Sequence, residues 1–110
     1  MMSEQFVYKM HEVEAIKKSY SMSFDGQFTI TQWPSKMKKK VCLIYLISEF
    51  FNMDITYSES EVNDILKPIY VDYVMLRRFL IDLNLLIRDD SGKVYQRTQR
   101  KIALSDEKNM

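Results

Sequence analysis

A mainly α (α+β) domain, a winged helix-turn-helix with an extra N-terminal helix and a small β-hairpin wing, is the fold class this chain predicts. Three observations carry the expectation. Ser58 opens a helix with capping-box spacing, Asp72 opens a second short helix just after Pro68, and strand-like segments then flank Asp90-Ser91-Gly92.

The 110 residues suit one domain, long enough to bury roughly two-thirds of the surface its unfolded chain would expose. A composition 46% hydrophobic, with only 2 Gly and 2 Pro, indicates a compact chain rich in regular elements. The single cysteine, Cys42, excludes an internal disulfide and fits a reducing cytoplasm, the expected location. The start Met1-Met2-Ser3-Glu4-Gln5 lacks the basic-then-apolar signal pattern. The most apolar run, 41–51, is about half of what a membrane span requires, so no membrane partner is expected.

Along the chain, Ser3 is placed to cap a helix running to about Tyr20, with Phe6, Met10, Val13, Ile16 and Tyr20 on one face. Asp25-Gly26 turns into a short strand, 27–32, where Phe28 and Ile30 alternate with threonines. A second helix from Ser35 to about Phe51 is apolar on most sides and so is expected at the centre of the core. In the next helix Ser58 and Glu61 form the capping box, Tyr57 and Val62 a hydrophobic staple, and Pro68 the stop. The helix after Asp72, spanning 72–84, has Leu76, Phe79, Leu80 and Leu83 as its inward stripe, with Val71 and Leu76 as a second staple. The hairpin 85–97 turns at Gly92. Expected units are therefore an N-terminal extension (1–23), the winged helix-turn-helix (24–97) and a polar tail (98–110) that frays.

At Asp25-Gly26, the basic helix start from Pro34 to Lys40, the 57–63 run Tyr-Ser-Glu-Ser-Glu-Val-Asn, Asp72-Tyr73, Leu76-Arg77-Arg78, Arg88, Gly92 and Tyr95, the chain resembles the bacterial family known as domain of unknown function 2087. The resemblance spans about Phe24 to Arg97. It implies a winged-helix module of the transcriptional-regulator kind with no established ligand or reaction, and it leaves residues 1–23 unassigned.

The candidate partner is duplex DNA. With Leu76, Leu80 and Leu83 inward, a turn of 100° per residue puts Val74 and Arg78 near the centre of the outer face, with Arg77 at its edge and Tyr73 at its start. Arginine there can grip a phosphate or read guanine, and Arg88, Lys93 and Arg97 on the wing can hold the flanking backbone. Against this, Arg77 can instead pair with Glu61 or Asp64, and Arg78 with Asp82. The run Lys36-Met37-Lys38-Lys39-Lys40 opposes its helix dipole at about 0.3–1 kcal/mol per exposed site. A phosphate near Lys38 and Lys39 would offset that cost; a solvated face is the plainer account.

Charge argues for modest affinity. The segment 57–97 carries six bases, Lys67, Arg77, Arg78, Arg88, Lys93 and Arg97, against seven acids, and the whole chain is at net +1. A broad basic footprint is missing, so a dimer that doubles the contacts would help. The stripe Phe6, Met10, Val13, Ile16 and Tyr20 is the candidate homodimer face, unless that helix folds back to complete the core. The outward Val74, Met75 and Ile81 also suit a protein interface, which keeps a protein-interaction adaptor as the second reading. No enzyme is expected. His11 has no second His or Cys at ligand spacing, no phosphate loop or nucleophile elbow occurs, and no cofactor, metal or catalytic residue is assigned.

Overall fold

Val41 to Ile47 is too continuously apolar to tolerate a wet face. In the computed structural model, which describes residues 5–105, helix α2 (Met37–Ser48) is accordingly the centre of the α+β fold: Cys42, Leu43, Ile44 and Ile47 are fully buried. Around it the chain runs β1 (Val7–Tyr8), α1 (Met10–Tyr20), β2 (Ser21–Phe24), β3 (Gln27–Ile30), α2, β4 (Thr56–Tyr57), α3 (Glu59–Leu66), α4 (Tyr73–Asp82), β5 (Leu86–Arg88), β6 (Tyr95–Arg97) and β7 (Ala103–Leu104). Three small sheets result: β1 parallel to β7, the β2–β3 hairpin, and an antiparallel sheet ordered β4-β6-β5.

Both caps foreseen for α3 and α4 form. Ser58 Oγ accepts from the Glu61 amide at 3.1 Å while Glu61 Oε1 accepts from the Ser58 amide at 2.8 Å, and Asp72 Oδ1 accepts from the Met75 amide at 3.1 Å. At the far end of α4, Asn84 takes the left-handed conformation (φ 59°). The Leu85 amide then reaches back to the Leu80 carbonyl at 2.9 Å, which directs the chain into β5. Leu76 and Leu80 are fully buried and Leu83 nearly so, as their spacing requires; Phe79 is half-buried against Trp33. Val71 does not staple onto Leu76. It is 86% exposed, because the turn after Ile69 carries it outward.

Other boundaries differ from expectation. Ser3 lies outside the described residues, and α1 starts only at Met10, because Val7 and Tyr8 form a strand. Tyr8 explains the strand: it is fully buried and its hydroxyl donates to the Lys38 carbonyl at 2.5 Å. Helix α2 starts at Met37 after Lys36, with no side-chain cap, so Ser35 does not cap it. It ends at Ser48, yet Phe51 beyond it is buried. The strand expected over 27–32 stops at Ile30 and has a partner, β2, that periodicity hid: its outward residues Met22 and Phe24 are apolar. Asp25 and Gly26, at φ 54° and 80°, supply the tight turn between them.

The first and last strands of the described residues pair. Residues from Thr98 were expected to fray, but Thr98 Oγ1 donates to the Asn84 carbonyl at 2.6 Å, Arg100 to the Leu83 carbonyl at 2.8 Å, and β7 pairs with β1. Helix α1 lies on α2, where Val13 and Ile16 join Tyr8, Cys42 and Leu43 in a second buried cluster. The stripe proposed as a dimer face is therefore mostly interior to the single chain. Met10 alone of its helical members remains largely exposed.

Candidate functional site

The outer face of α4 and the β5–β6 hairpin frame the site. Pairing of Leu86 with Arg97, Ile87 with Gln96 and Arg88 with Tyr95 sets the hairpin register, which puts Arg88 beside Tyr95 on the side facing α4. Asp89 organises the turn. Its Oδ1 accepts from the Lys93 and Val94 amides at 2.8 and 3.1 Å and its Oδ2 from Ser91 Oγ at 2.9 Å; the Val94 amide above all, then Ser91, holds its carboxyl below the usual range. Gly92 follows at φ 73°, where a Cβ would lie 3.1 Å from Arg88 Nη1.

Between α4, the start of α3 and the hairpin runs a groove of about 320 Å³ lined by Arg77, Arg78, Asp82, Arg88, Tyr95 and Glu59, with Ile81 as its apolar wall. Three of the nine candidate contacts thus come together. Arg77 is half-buried and donates to Asn63 Oδ1, so it does lock α4 to α3, though through Asn63 and not through Glu61 or Asp64. Arg78 is exposed and, among the described residues, makes no ion pair; the alternative bridge to Asp82 is not formed. Val74, 40% exposed, lines a second groove of about 350 Å³ on the other side of Arg78, beside Met37, Asp72 and Phe79. Met75 and Ile81, expected outward, are half-buried against the core.

The remaining candidates divide. Lys93 stands exposed at the hairpin turn, and Tyr73 is half-buried with Lys67 Nζ 5.4 Å above its ring. Arg97 turns inward and donates to the Phe51 carbonyl at 2.9 Å, so it binds the chain's own backbone instead of presenting to a partner. Lys38 and Lys39 are likewise occupied. Lys38 Nζ lies 2.9 Å from Glu12 and 5.2 Å above the Tyr8 ring, and Lys39 Nζ lies 3.3 Å from the Tyr20 hydroxyl. The lysine run at the start of α2 finds its compensation in the N-terminal segment, which sequence spacing had no means of placing there.

Two site residues escaped the sequence reading. Tyr95 is only 2% exposed and its hydroxyl donates to Glu59 Oε1 at 2.9 Å; burial above all, then Glu59, raises its pKa. Glu59 also stands in the first turn of α3, where a carboxylate favours the helix dipole. The only signal for the pair was the hairpin register, which places Tyr95 opposite Arg88 once Gly92 is taken as the turn. The cavity brings three guanidinium groups, two carboxylates and one hydroxyl around an open volume, a donor set suited to an oxyanion.

Comparison with known proteins places this geometry. The model of a family described as "Uncharacterized protein conserved in bacteria (DUF2087)" matches residues 29–97, more than half of the chain and the whole of the α2 to β6 unit. The chain belongs to this family. No curated protein and no solved structure matches. The matched region contains every residue of the groove and leaves out β1, α1, β2 and β7. Among the described residues no helix is long and apolar enough to cross a membrane, and no group of three or more His, Cys, Asp or Glu is arranged to hold a metal ion.

Proposed function

We propose that this chain is a small duplex-DNA-binding module of the winged helix-turn-helix type, used as a transcription regulator is. In this reading α3 and α4 are the helix-turn-helix, α4 is the recognition helix, and β5–β6 with β4 is the wing. The observation that carries it is Arg78, exposed and without an ion pair among the described residues, at the middle of the outer face of α4, with Arg88 across the groove and Lys93 at the tip of the hairpin. Two or three phosphate contacts of this kind support modest affinity, in keeping with a net charge of +1. Binding of a mixed-sequence duplex should weaken steeply as salt rises; affinity indifferent to salt, or no binding at low salt, defeats the proposal.

A protein-interaction module is the second reading, supported by the exposed apolar residues Val71, Val74, Ile87 and Val94 in the same segments. Partner binding would then persist at salt concentrations that abolish phosphate contacts.

A further inference from the structure

Glu61 is consumed by the capping box, and Asp72 caps α4, but Glu59 has no such duty: its carboxylate reaches across the groove to the Tyr95 hydroxyl at 2.9 Å. It thereby places a negative charge in the cavity that Arg77, Arg78 and Arg88 line. A carboxylate carries the charge of one phosphodiester and the same preference for guanidinium donors. The Tyr95 hydroxyl holds the carboxylate against the hairpin, at the residue paired in register with Arg88. Arg77 is held by Asn63, while Arg78 and Arg88 are exposed.

We propose that the groove between α4 and the β5–β6 hairpin seats a single phosphodiester of a DNA strand, and that Glu59 stands in for that phosphate when DNA is not bound. This rests on the DNA-binding reading above. On binding, the phosphate takes the Arg78 and Arg88 guanidinium groups and Glu59 is left as a repulsive neighbour, so Glu59 holds affinity below what three arginines would otherwise confer. Such a restraint suits a regulator that must leave non-specific sites readily, because the penalty falls on every phosphate contact at the seat whatever the base sequence.

The test is Glu59→Gln, which keeps an oxygen to accept from Tyr95 while removing the charge. Its reference is Glu14→Gln, an equal charge change at an exposed position of α1, where Glu14 pairs with Lys17 at 3.6 Å. Fluorescence anisotropy on a labelled mixed-sequence duplex at low salt should show E59Q binding roughly threefold to tenfold tighter than wild type, the scale of one unit charge a few ångströms away screened by bulk water. E14Q should gain less than about twofold by the same screening. R88Q should lose affinity and lower the salt slope by about one, and E59Q/R88Q should lack most of the E59Q gain. In parallel, titrating wild type with inorganic phosphate should move the NMR resonances of Tyr95 and the Arg78 and Arg88 side chains first, a readout that needs no variant to fold.

Equal gains for E59Q and E14Q would overturn the seat while leaving the DNA reading in place. Phosphate shifts at Tyr95 without any duplex binding would overturn the DNA reading and leave an anion seat. Neither phosphate shifts nor duplex binding would remove both.

Discussion

Arg77 and Arg78 are adjacent in the chain and have opposite duties, and that contrast decides how substitutions at each should behave. Arg77 is half-buried with a hydrogen bond to Asn63, so Arg77→Ala leaves an amide oxygen unsatisfied between two helices; a loss of about 1–2 kcal/mol in urea denaturation is expected. Arg78→Ala and Lys93→Ala touch solvent-facing side chains. Each should leave the melting temperature nearly unchanged and weaken duplex binding. Intact DNA binding in R78A would mean that α4 presents a different face. A stable R77A with impaired binding would make Arg77 a contact residue instead of a helix-to-helix lock.

Two carboxylates give the residue scale a pH dependence. Glu12 is held below its ordinary 4.5, chiefly by the Lys38 ammonium, and Asp89 below its ordinary 3.8, chiefly by the Val94 amide. A folded-state pKa below the unfolded one contributes stability that is present above the unfolded value and lost as pH falls through the folded one. Stability should therefore decline as the pH drops below about 4.5, and Glu12→Gln should flatten the upper part of that decline. An acid limb unchanged in E12Q would show that the Lys38 contact carries no net stability.

At the level of elements, α3 is a helix of eight residues that depends on its cap. Ser58→Ala should cost about 1 kcal/mol. Gly92→Ala combines a positive φ with a Cβ 3.1 Å from Arg88 Nη1, so it should cost about 1–2 kcal/mol and push the arginine's guanidinium off its observed position. Duplex affinity should fall along with stability, a coupling absent from Gly26→Ala, where φ is also positive but nothing lies within 4 Å of the added carbon. If G92A alters stability alone, Arg88 does not need its observed position.

At the scale of the whole molecule, β1 and β7 close the described fold. Parallel pairing of β1 with β7 brings the segments flanking the family region onto one another, while Tyr8, Val13 and Ile16 cover Leu43 and Cys42 of α2. Burial pushes the Cys42 thiol up to about 12, which leaves it protonated and inert. On this side of the molecule the apolar residues left exposed to a second copy are Met10, Val7 and Leu104. Val13→Asp places an unpaired charge in the core and should unfold the chain, whereas Met10→Asp should leave it folded. Light scattering after size exclusion checks the second point: a dimeric wild type that M10D turns monomeric would support two-fold pairing through this edge. A folded V13D would show that α1 is not needed to cover α2.

From the sequence alone came whatever short-range chemistry determines. Ser58 and Glu61, Asp72 and the Met75 amide, Pro68 and Gly92 each act within a few residues, so their helices, cap and turn are legible in order. The outward position of Arg78 followed from helical periodicity for the same reason. Only the tertiary structure decided which charges are free: Lys38, Lys39 and Arg97 looked available because their partners, Glu12, Tyr20 and the Phe51 carbonyl, lie 26, 19 and 46 positions away. It alone also brought Glu59 to Tyr95 across 36 positions and folded the apparent tail back as β7. Contacts at such separations follow from how packed helices and strands happen to face one another, and no local spacing encodes that.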